Sequence, residues 1–439
     1  LNYARKFGKH DVGAMFVYRM NEKKNNIAGT SEENLLPYRE QGMAGRVTYG
    51  FDNRYLFEAS FGYNGSENFS PNHRFGFFPS IALGYVVSNE KFFEPIRDVV
   101  SMVKLKASYG LVGNDQIGGD RRFIYNETVI GGGKYYFGTT PSQYTSVRLG
   151  EFPNPNVGWE KAKKLNLGAD LSFFNQLNIS VDYFKENREG IFLQRKSIPM
   201  YVGLSTKPWV NIGKMRNSGI DASLEYHQPL GKDIHLTVRG NFTYARNRIM
   251  DQDEPDYAYT YMNHSGQMQW QKFGLVAAGL FQDQEDIDSW AKQSFGEVKP
   301  GDIKYLDLNG DGIVDSYDTK PIGYSDIPEI VYGFGFSLQW KAFDLSAFFQ
   351  GVAHVNFSTL TDQTQAFVGR NLKESSVFAD LYGNTWTPEN PGAKYPRMTT
   401  GAVDNNNQLS TFWMADGRYL RLKNLELGYT LPKRIANKI

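Results

Sequence analysis

Apolar residues recur at every second position in one segment of this chain after another, and that period fixes the class of fold before any other feature does. In RYLFEASFGYN the residues Tyr55, Phe57, Ala59, Phe61 and Tyr63 fall on one face, while Glu58, Ser60, Gly62 and Asn64 fall on the other. In VYGFGFSLQWK the apolar set is Tyr332, Phe334, Phe336, Leu338 and Trp340, against Gly333, Gly335, Ser337, Gln339 and Lys341. Successive side chains of a strand point to opposite sides, so each segment is a strand with one greasy face and one small or polar face. With further segments near Val12, Val47, Leu83, Leu105 and Leu425, the strand candidates number about fourteen.

Very short turns join many of these segments in pairs. Leu165, Leu167, Ala169, Leu171 and Phe173 lead through FNQ into Leu177, Ile179, Val181 and Tyr183. Ile220, Ala222, Leu224 and Tyr226 lead through PLGKD into Ile234, Leu236, Val238 and Phe242, and Trp340 leads through Lys341 and Ala342 into Phe343, Leu345, Ala347 and Phe349. About ten residues per arm is the length a tilted strand needs to cross a bilayer. The connections between hairpins are long, at 185–219, 246–269, 283–330 and 351–419. Short turns at one end and long loops at the other are the pattern of a transmembrane antiparallel β-barrel, all-β and closed to protect its edges.

A soluble β-sandwich shows the same alternation, and two features favour the barrel. The polar faces carry Asp170, Asp182, Asp221, Glu225 and Arg239, which suit a wet lumen, and aromatics crowd strand ends at Tyr63, Tyr183, Phe184, Tyr226, Tyr244 and Trp340, where membrane girdles lie. No stretch approaches the roughly 20 apolar residues of a membrane-spanning helix. Aromatics make up 15 % of the 439 residues, with 44 Gly, a mixture that favours strands and turns. The 48 basic and 47 acidic residues balance without a basic stripe, so nucleic acid is not an expected partner. The absence of Cys removes disulfides, thiolate metal sites and Cys nucleophiles together. Six scattered His, with no HExxH, G-x-S-x-G or P-loop spacing and no pair of carboxylates singled out, leave an enzyme without a constellation.

One stretch stands apart from the strands. DLNGDGIVDSYD (307–318) places Asp307, Asn309, Asp311, Asp315 and Asp318 at positions 1, 3, 5, 9 and 12 of a calcium loop, with Gly312 at the sharp turn and the carbonyl of Ile313 at position 7. Hard oxygen donors at this spacing can wrap one Ca²⁺ in a structural role, although Asp318 stands where such loops carry the longer Glu. An Asn/Asp/Gly-rich turn explains the same residues without metal.

Several segments together resemble the SusC/RagA-like TonB-dependent transporters of Gram-negative outer membranes. They are DNRYLFEASFGYNGSENF with RFGFFPSIALGYVVSNEKFF (52–93), VKLKASYGLVGN (103–114), NPNVGWEKAKKLNLGADLSFFNQLNISVDYF (154–184), VNIGKMRNSGIDASLEY (210–226), KPGDIKYLDLNGDGIVDSYDTKPIG (299–323) and GRYLRLKNLELGYTLP (417–432), in the family's order over nearly the whole chain. The resemblance implies a barrel of about 22 strands closed by an N-terminal plug. It further implies energy delivered by TonB through a region N-terminal to residue 1, and a SusD-like lipoprotein lid that binds glycan or peptide cargo. Residues 1–439 are then expected to be one barrel domain cut at both ends, with the plug outside it. Loop aromatics Trp209, Tyr257, Tyr259, Tyr261, Trp270, Trp386 and Trp413 are candidates for stacking on cargo, with YAYTY (257–261) the best single patch; packing between loops or anchoring at the membrane interface is the competing reading. The function expected is active import of oligosaccharides or peptides across the bacterial outer membrane. A passive porin and a calcium-binding β-sandwich at the cell surface are the alternatives.

Overall fold

The computed structural model describes residues 1–24, 35–118, 121–140, 142–204, 206–361, 377 and 379–431. Thirteen strands form one antiparallel sheet. They are β1 (Asn2–Phe7), β2 (His10–Lys23), β3 (Tyr38–Phe51), β4 (Tyr55–Ser66), β5 (Phe75–Val86), β6 (Val100–Asn114), β7 (Glu160–Phe173), β8 (Leu177–Gln194), β9 (Trp209–Leu230), β10 (Ile234–Asp251), β11 (Ile330–Trp340), β12 (Phe343–Ala353) and β13 (Tyr419–Tyr429). Sheet neighbours follow chain order throughout, and β1 and β13 are its edges. A sandwich would need two facing sheets, so the soluble alternative fails on topology. The sequence reading named no strand at β1, whose six residues are all exposed.

The register makes the alternation collective. Val12, Tyr49, Phe57, Leu83, Ala107, Leu167, Tyr183, Ile220 and Tyr244 pair one to the next from β2 to β10, a single apolar row across nine strands. One residue away, Asp11, Gly50, Leu56, Gly84, Lys106, Gly168, Asp182, Asp221 and Thr243 form the parallel row on the opposite face. Tyr49, Phe57, Leu83, Leu167, Tyr183 and Ile220 are all exposed. Soluble monomers rarely leave contiguous apolar patches beyond roughly 300–600 Å² uncovered, so a surface repeated across nine strands calls for an apolar solvent. On the polar face Lys106 Nζ reaches Asp170 at 2.7 Å and Asp182 at 3.4 Å, and Ser180 Oγ donates to Asp170 at 2.7 Å.

Aromatic contacts border the apolar face toward both ends. Tyr55 stacks on Tyr85 at 5.2 Å near the β3–β4 turn, and Tyr63 stacks on Phe75 at 5.1 Å at the far end of the same strands. At about 3.4 Å per residue Tyr55 and Tyr63 lie roughly 27 Å apart along β4. With a strand tilt of about 35–45° that span projects to roughly 20 Å along the barrel axis, within the roughly 25 Å apolar band of outer-membrane barrels. Trp340, Phe343 and Tyr429 form a similar group at the β11–β12 turn. Phe184 departs from the expectation: it pairs with Asn166 and Gly219 on the polar face, because it follows Tyr183 directly and the strand period is two.

Apart from the 87–99 connection, the turns at one end are tight. Asp52 and Asn53 both have φ of 54°, and Phe174 and Asn175 have φ of 53° and 56°, the paired left-handed conformation of a type I′ hairpin turn. At the other end the connections span 24–37, 67–74, 115–159, 195–208, 252–329 and 354–418. Two expected loops are shorter than the sequence suggested. The 185–219 connection is mostly strand, since β8 runs to Gln194 and β9 begins at Trp209, and β10 continues to Asp251 rather than ending near 246. Apolar alternation stops there, and charge takes over the pairing: Arg188 bonds Glu160 at 2.6 Å and Glu186 at 2.7 Å, and Lys163 bonds Glu189 at 3.0 Å. Strands of 18 and 22 residues therefore exceed the expected ten per arm.

Two compact units divide the chain. The first comprises 1–255, 333–348 and 423–439; the second comprises 256–332 and 349–422. In the first, residues of the long connections form a small core with the ends of two strands: Phe69, Ile117, Ile124, Val157 and Phe192 are buried, with Trp159 and Trp209 packed against them. The second has its own core of Leu275, Leu280, Ile303, Tyr305, Val314, Trp386 and Trp413.

In the first unit Asp253 fastens the start of the β8–β9 connection, just beyond the end of β8. Its carboxylate, 11 % exposed, accepts from the Lys196 amide at 2.7 Å, the Ser197 amide at 3.1 Å and hydroxyl at 2.8 Å, and Arg195 Nε at 2.9 Å. Burial by itself raises this carboxyl, but the bonds from Ser197, Arg195 and Lys196 prevail and lower it to about 2. A carboxyl lowered in the folded state stabilises above its unfolded value and loses that contribution as pH falls through its folded value. The contribution is about 2 kcal/mol near neutrality. Asp253→Asn is therefore expected to speed amide exchange at Lys196 and Ser197 by about ten- to thirtyfold at pH 7, with the wild-type difference vanishing only toward pH 2; equal protection in both proteins at pH 7 contradicts the assignment.

Candidate functional site

The acidic loop lies in the second unit, where it is anchored by apolar burial before any charge is considered. Val314 is fully buried, and the short strand Ile313–Val314 runs parallel to Lys292–Gln293, with the Lys292 amide bonded to the Gly312 carbonyl and the Ser294 amide to the Val314 carbonyl, both at 3.0 Å. The loop between folds on its own side chains. Asp307 accepts from the Gly310 and Gly312 amides at 2.6 and 2.8 Å, Asn309 Oδ1 from the Asp311 amide at 2.9 Å, and Asp311 from the Ile313 amide at 2.8 Å. Gly312, at the expected sharp turn, has φ of 85°, a conformation that costs a residue with a Cβ.

Asp318 behaves differently from its neighbours. It is fully buried, with one oxygen accepting from the Leu308 and Asn309 amides at 2.7 and 3.3 Å and the other from the Asp315 amide at 2.8 Å. Asp315 in turn accepts from the Tyr317 amide at 2.7 Å, so Asp315 and Asp318 cap the short turn Ser316–Asp318 reciprocally. The shorter side chain at position 12 thus latches the two ends of the loop through backbone amides. Among the described residues no three His, Asp or Glu side chains gather into a cluster able to hold a metal ion. The donor chemistry nonetheless suits a hard cation, because a carboxylate offers about four lone-pair sites and the amides of this loop engage only part of them.

The YAYTY patch lies against this loop. Tyr259 and Tyr261 stack with centroids 5.3 Å apart, Tyr259 meets the Tyr317 ring edge-on at 6.2 Å, and Tyr261 Oη donates to the Tyr317 carbonyl at 2.8 Å. Burial, and then the charges of Asp318, Tyr259, Asp307 and Asp311, raise the Tyr261 phenol above its ordinary range. Tyr257 turns instead to His264, 3.4 Å away. Sequence reasoning missed Tyr317 as the third ring, though it sits inside the quoted loop.

The remaining aromatic candidates separate by burial. Trp413 is 2 % exposed and donates to the Asn406 carbonyl at 2.8 Å, and Trp386 is 8 % exposed above Gly301; both are core residues without a ring face for cargo, which corrects their assignment. They stand in a polar lattice that sequence gave no hint of, in which Asp302 holds Arg397 and Asn406 at 2.9 Å and Asn405 donates to the Ile303 carbonyl at 2.7 Å. Trp209, in the first unit, opens β9 rather than lying in a loop; it stacks on Phe192 at 5.2 Å and carries Arg121 over its ring at 4.0 Å. Trp270 is 63 % exposed and keeps an open ring.

Known proteins place this architecture. The model of the TonB-dependent receptor-like β-barrel family matches residues 3–437. TonB-dependent receptor P3 of Formosa agariphila is 28 % identical over 477 residues, covering 100 % of this chain and 45 % of that protein. TonB-dependent receptor SusC of Bacteroides thetaiotaomicron is 27 % identical over 406 residues, covering 88 % of this chain and 37 % of SusC. The chain thus spans under half the length of these curated relatives. Among solved structures, the RagAB peptide transporter superposes with a TM-score of 0.75 at 21 % identity, over 99 % of this chain and 48 % of that one, a likeness of fold. The chain belongs to the TonB-dependent receptor β-barrel family, and within it resembles SusC and RagA.

Proposed function

We propose that this chain is the barrel portion of a SusC/RagA-type active importer in the bacterial outer membrane, taking up oligosaccharides or peptides with a SusD-like lipoprotein and TonB as partners. The observation that carries the reading is the unbroken apolar row from Val12 to Tyr244, backed by a polar row one residue away. One face suits lipid and the other suits a wet lumen, and the long connections gather at one end of the sheet, as the outer ends of such barrels require. RagAB is named a peptide transporter, and that likeness supports keeping peptide as one of the two proposed cargo classes. No residue in this reading acts as a catalyst; binding and passage are its chemistry.

Active import separates from a passive porin by its energy requirement. In cells dependent on the full-length protein for uptake of a cargo oligosaccharide or peptide, a protonophore is expected to abolish uptake while surface binding persists; uptake that continues without the proton gradient supports a porin.

Calcium, in this reading, orders the 307–318 loop. Asp307, Asn309, Asp311 and Asp315 with the Ile313 carbonyl would hold it, and Asp318 would contribute from the latch that already closes the loop. The ion would draw the loop's carboxylates together and lend rigidity to a segment beside the Tyr259–Tyr261–Tyr317 rings. Asp307→Ala combined with Asp311→Ala is expected to weaken calcium binding by at least tenfold in calorimetric titration and to expose the loop to proteolysis, leaving the heat-modifiable gel migration of the barrel unchanged. An unaltered titration overturns the calcium assignment and leaves an amide-closed turn.

A further inference from the structure

The 115–159 connection contains a hairpin of its own, Val129–Phe137 paired with Ser142–Leu149, outside the main sheet. Its register puts Tyr135 opposite Tyr144, Phe137 opposite Ser142 and Ile130 opposite Arg148, all on one face. Tyr135, Phe137 and Tyr144 are 58 %, 63 % and 56 % exposed, and Phe137 meets Tyr144 edge-on at 5.7 Å. Three aromatic rings on a two-stranded ribbon leave more than half of their surface open, so packing of the fold accounts for only part of them.

Two more features describe what could lie on this face. Between the rings and Arg148 the hairpin carries a bulge, where Gly132 and Gly133 oppose Ser146, whose hydroxyl donates to the Gly133 carbonyl at 2.8 Å, and nothing stands within 4 Å of the Cβ position at Gly133. Bare backbone of this kind within a strand lets a ligand approach closely. Arg148 lies roughly 13 Å along the strand from Tyr144, beyond the Ser146 hydroxyl. From 128 to 150 the sequence has two cations, Lys134 and Arg148, and no Asp or Glu. Neither cation forms an ion pair among the described residues, and Lys134, opposite Thr145, is on the reverse face.

From this charge complementarity we propose that the Tyr135–Phe137–Tyr144 face binds an anionic oligosaccharide, one bearing carboxylate or sulfate groups. The rings stack on sugar faces, and Arg148 forks an acidic group of the same chain. A monosaccharide cannot reach both ends of the face, so the ligand is an extended chain. The inference rests on the importer reading only in that this end of the sheet lies outside the cell.

Calorimetric titration of the full-length receptor in detergent tests it with three probes: polygalacturonate, dextran sulfate and uncharged dextran. At least one anionic polymer is expected to bind about tenfold more tightly than dextran, and which of the two does so distinguishes carboxylate from sulfate recognition. Arg148→Ala is expected to remove that preference, Arg148→Lys to restore part of it, and Lys134→Ala to change nothing. Tyr135→Ala with Tyr144→Ala is expected to abolish binding of the preferred polymer, while far-UV circular dichroism and heat-modifiable migration remain those of the wild type. Failure of every probe to bind overturns the proposal, as does equal loss in Lys134→Ala and Arg148→Ala, which would signal diffuse attraction. Polyglutamate binding with the same dependence on Arg148 and the two Tyr would point to an acidic peptide instead. Energised uptake is a separate measurement, so loss of this site and loss of the importer reading are told apart.

Discussion

Everything in the sheet follows from register. A slip of one residue between any two neighbouring strands would send a whole strand's apolar set to the wrong face. The row from Val12 to Tyr244 passes through eight pairings without such a slip, and the polar row beside it keeps Lys106, Asp182 and Asp221 together. The type I′ turns set that register locally, because two left-handed residues allow only one way for the arms to meet. In a lipid setting the stakes are high, since a Lys or Arg turned to the bilayer midplane costs about 2–4 kcal/mol.

Beyond the apolar band the same strands continue on different forces. In β8 and β9 the pairing is maintained by Glu186, Arg188 and Glu160 and by Lys163 with Glu189, in place of packed rings. The exposed Lys163–Glu189 pair is worth little by itself, Glu160 and Glu186 meet Arg188 largely out of water, and the backbone ladder they decorate supplies the continuity. Where β8 ends, Asp253 fastens the first residues of the connection through four hydrogen bonds. The second unit works by a third means: a small core around Trp413 and Tyr305, stitched by Asp302, Asn405 and Asn406, from which the acidic loop projects.

The strands, the tight turns and the two faces were legible because period two is a local property that a single sequence displays. Phe184 was misplaced through reading aromatic crowding instead of parity, and the long arms of β8 to β10 were cut short because their alternation is of charge and hydroxyl rather than of apolar residues. The candidate site was legible only in part. The acidic spacing of 307–318 is written in the chain, but the use of Asp318 as a buried latch depends on amides of Leu308 and Asn309, which no residue type announces. Trp386 and Trp413 looked like loop aromatics because their segment has no period; their burial arises from contacts with residues about a hundred positions away, such as Ile303 and Tyr305, which carry no local signal.

These 439 residues contain no Cys, so with any Cys in the rest of the full-length protein replaced by Ser a nitroxide can be attached at one chosen position without background. The most direct measurement places labels at Phe57→Cys, Leu83→Cys and Ile220→Cys, and at Glu58→Cys, Ala82→Cys and Asp221→Cys, in the full-length protein reconstituted in liposomes, and compares collision with oxygen and with a water-soluble nickel chelate. Oxygen preference in the first group and nickel preference in the second mean that the continuous apolar face meets lipid and the polar face meets water. The same preference in both groups, or the reverse, would mean that the sheet does not sit in a membrane by this face.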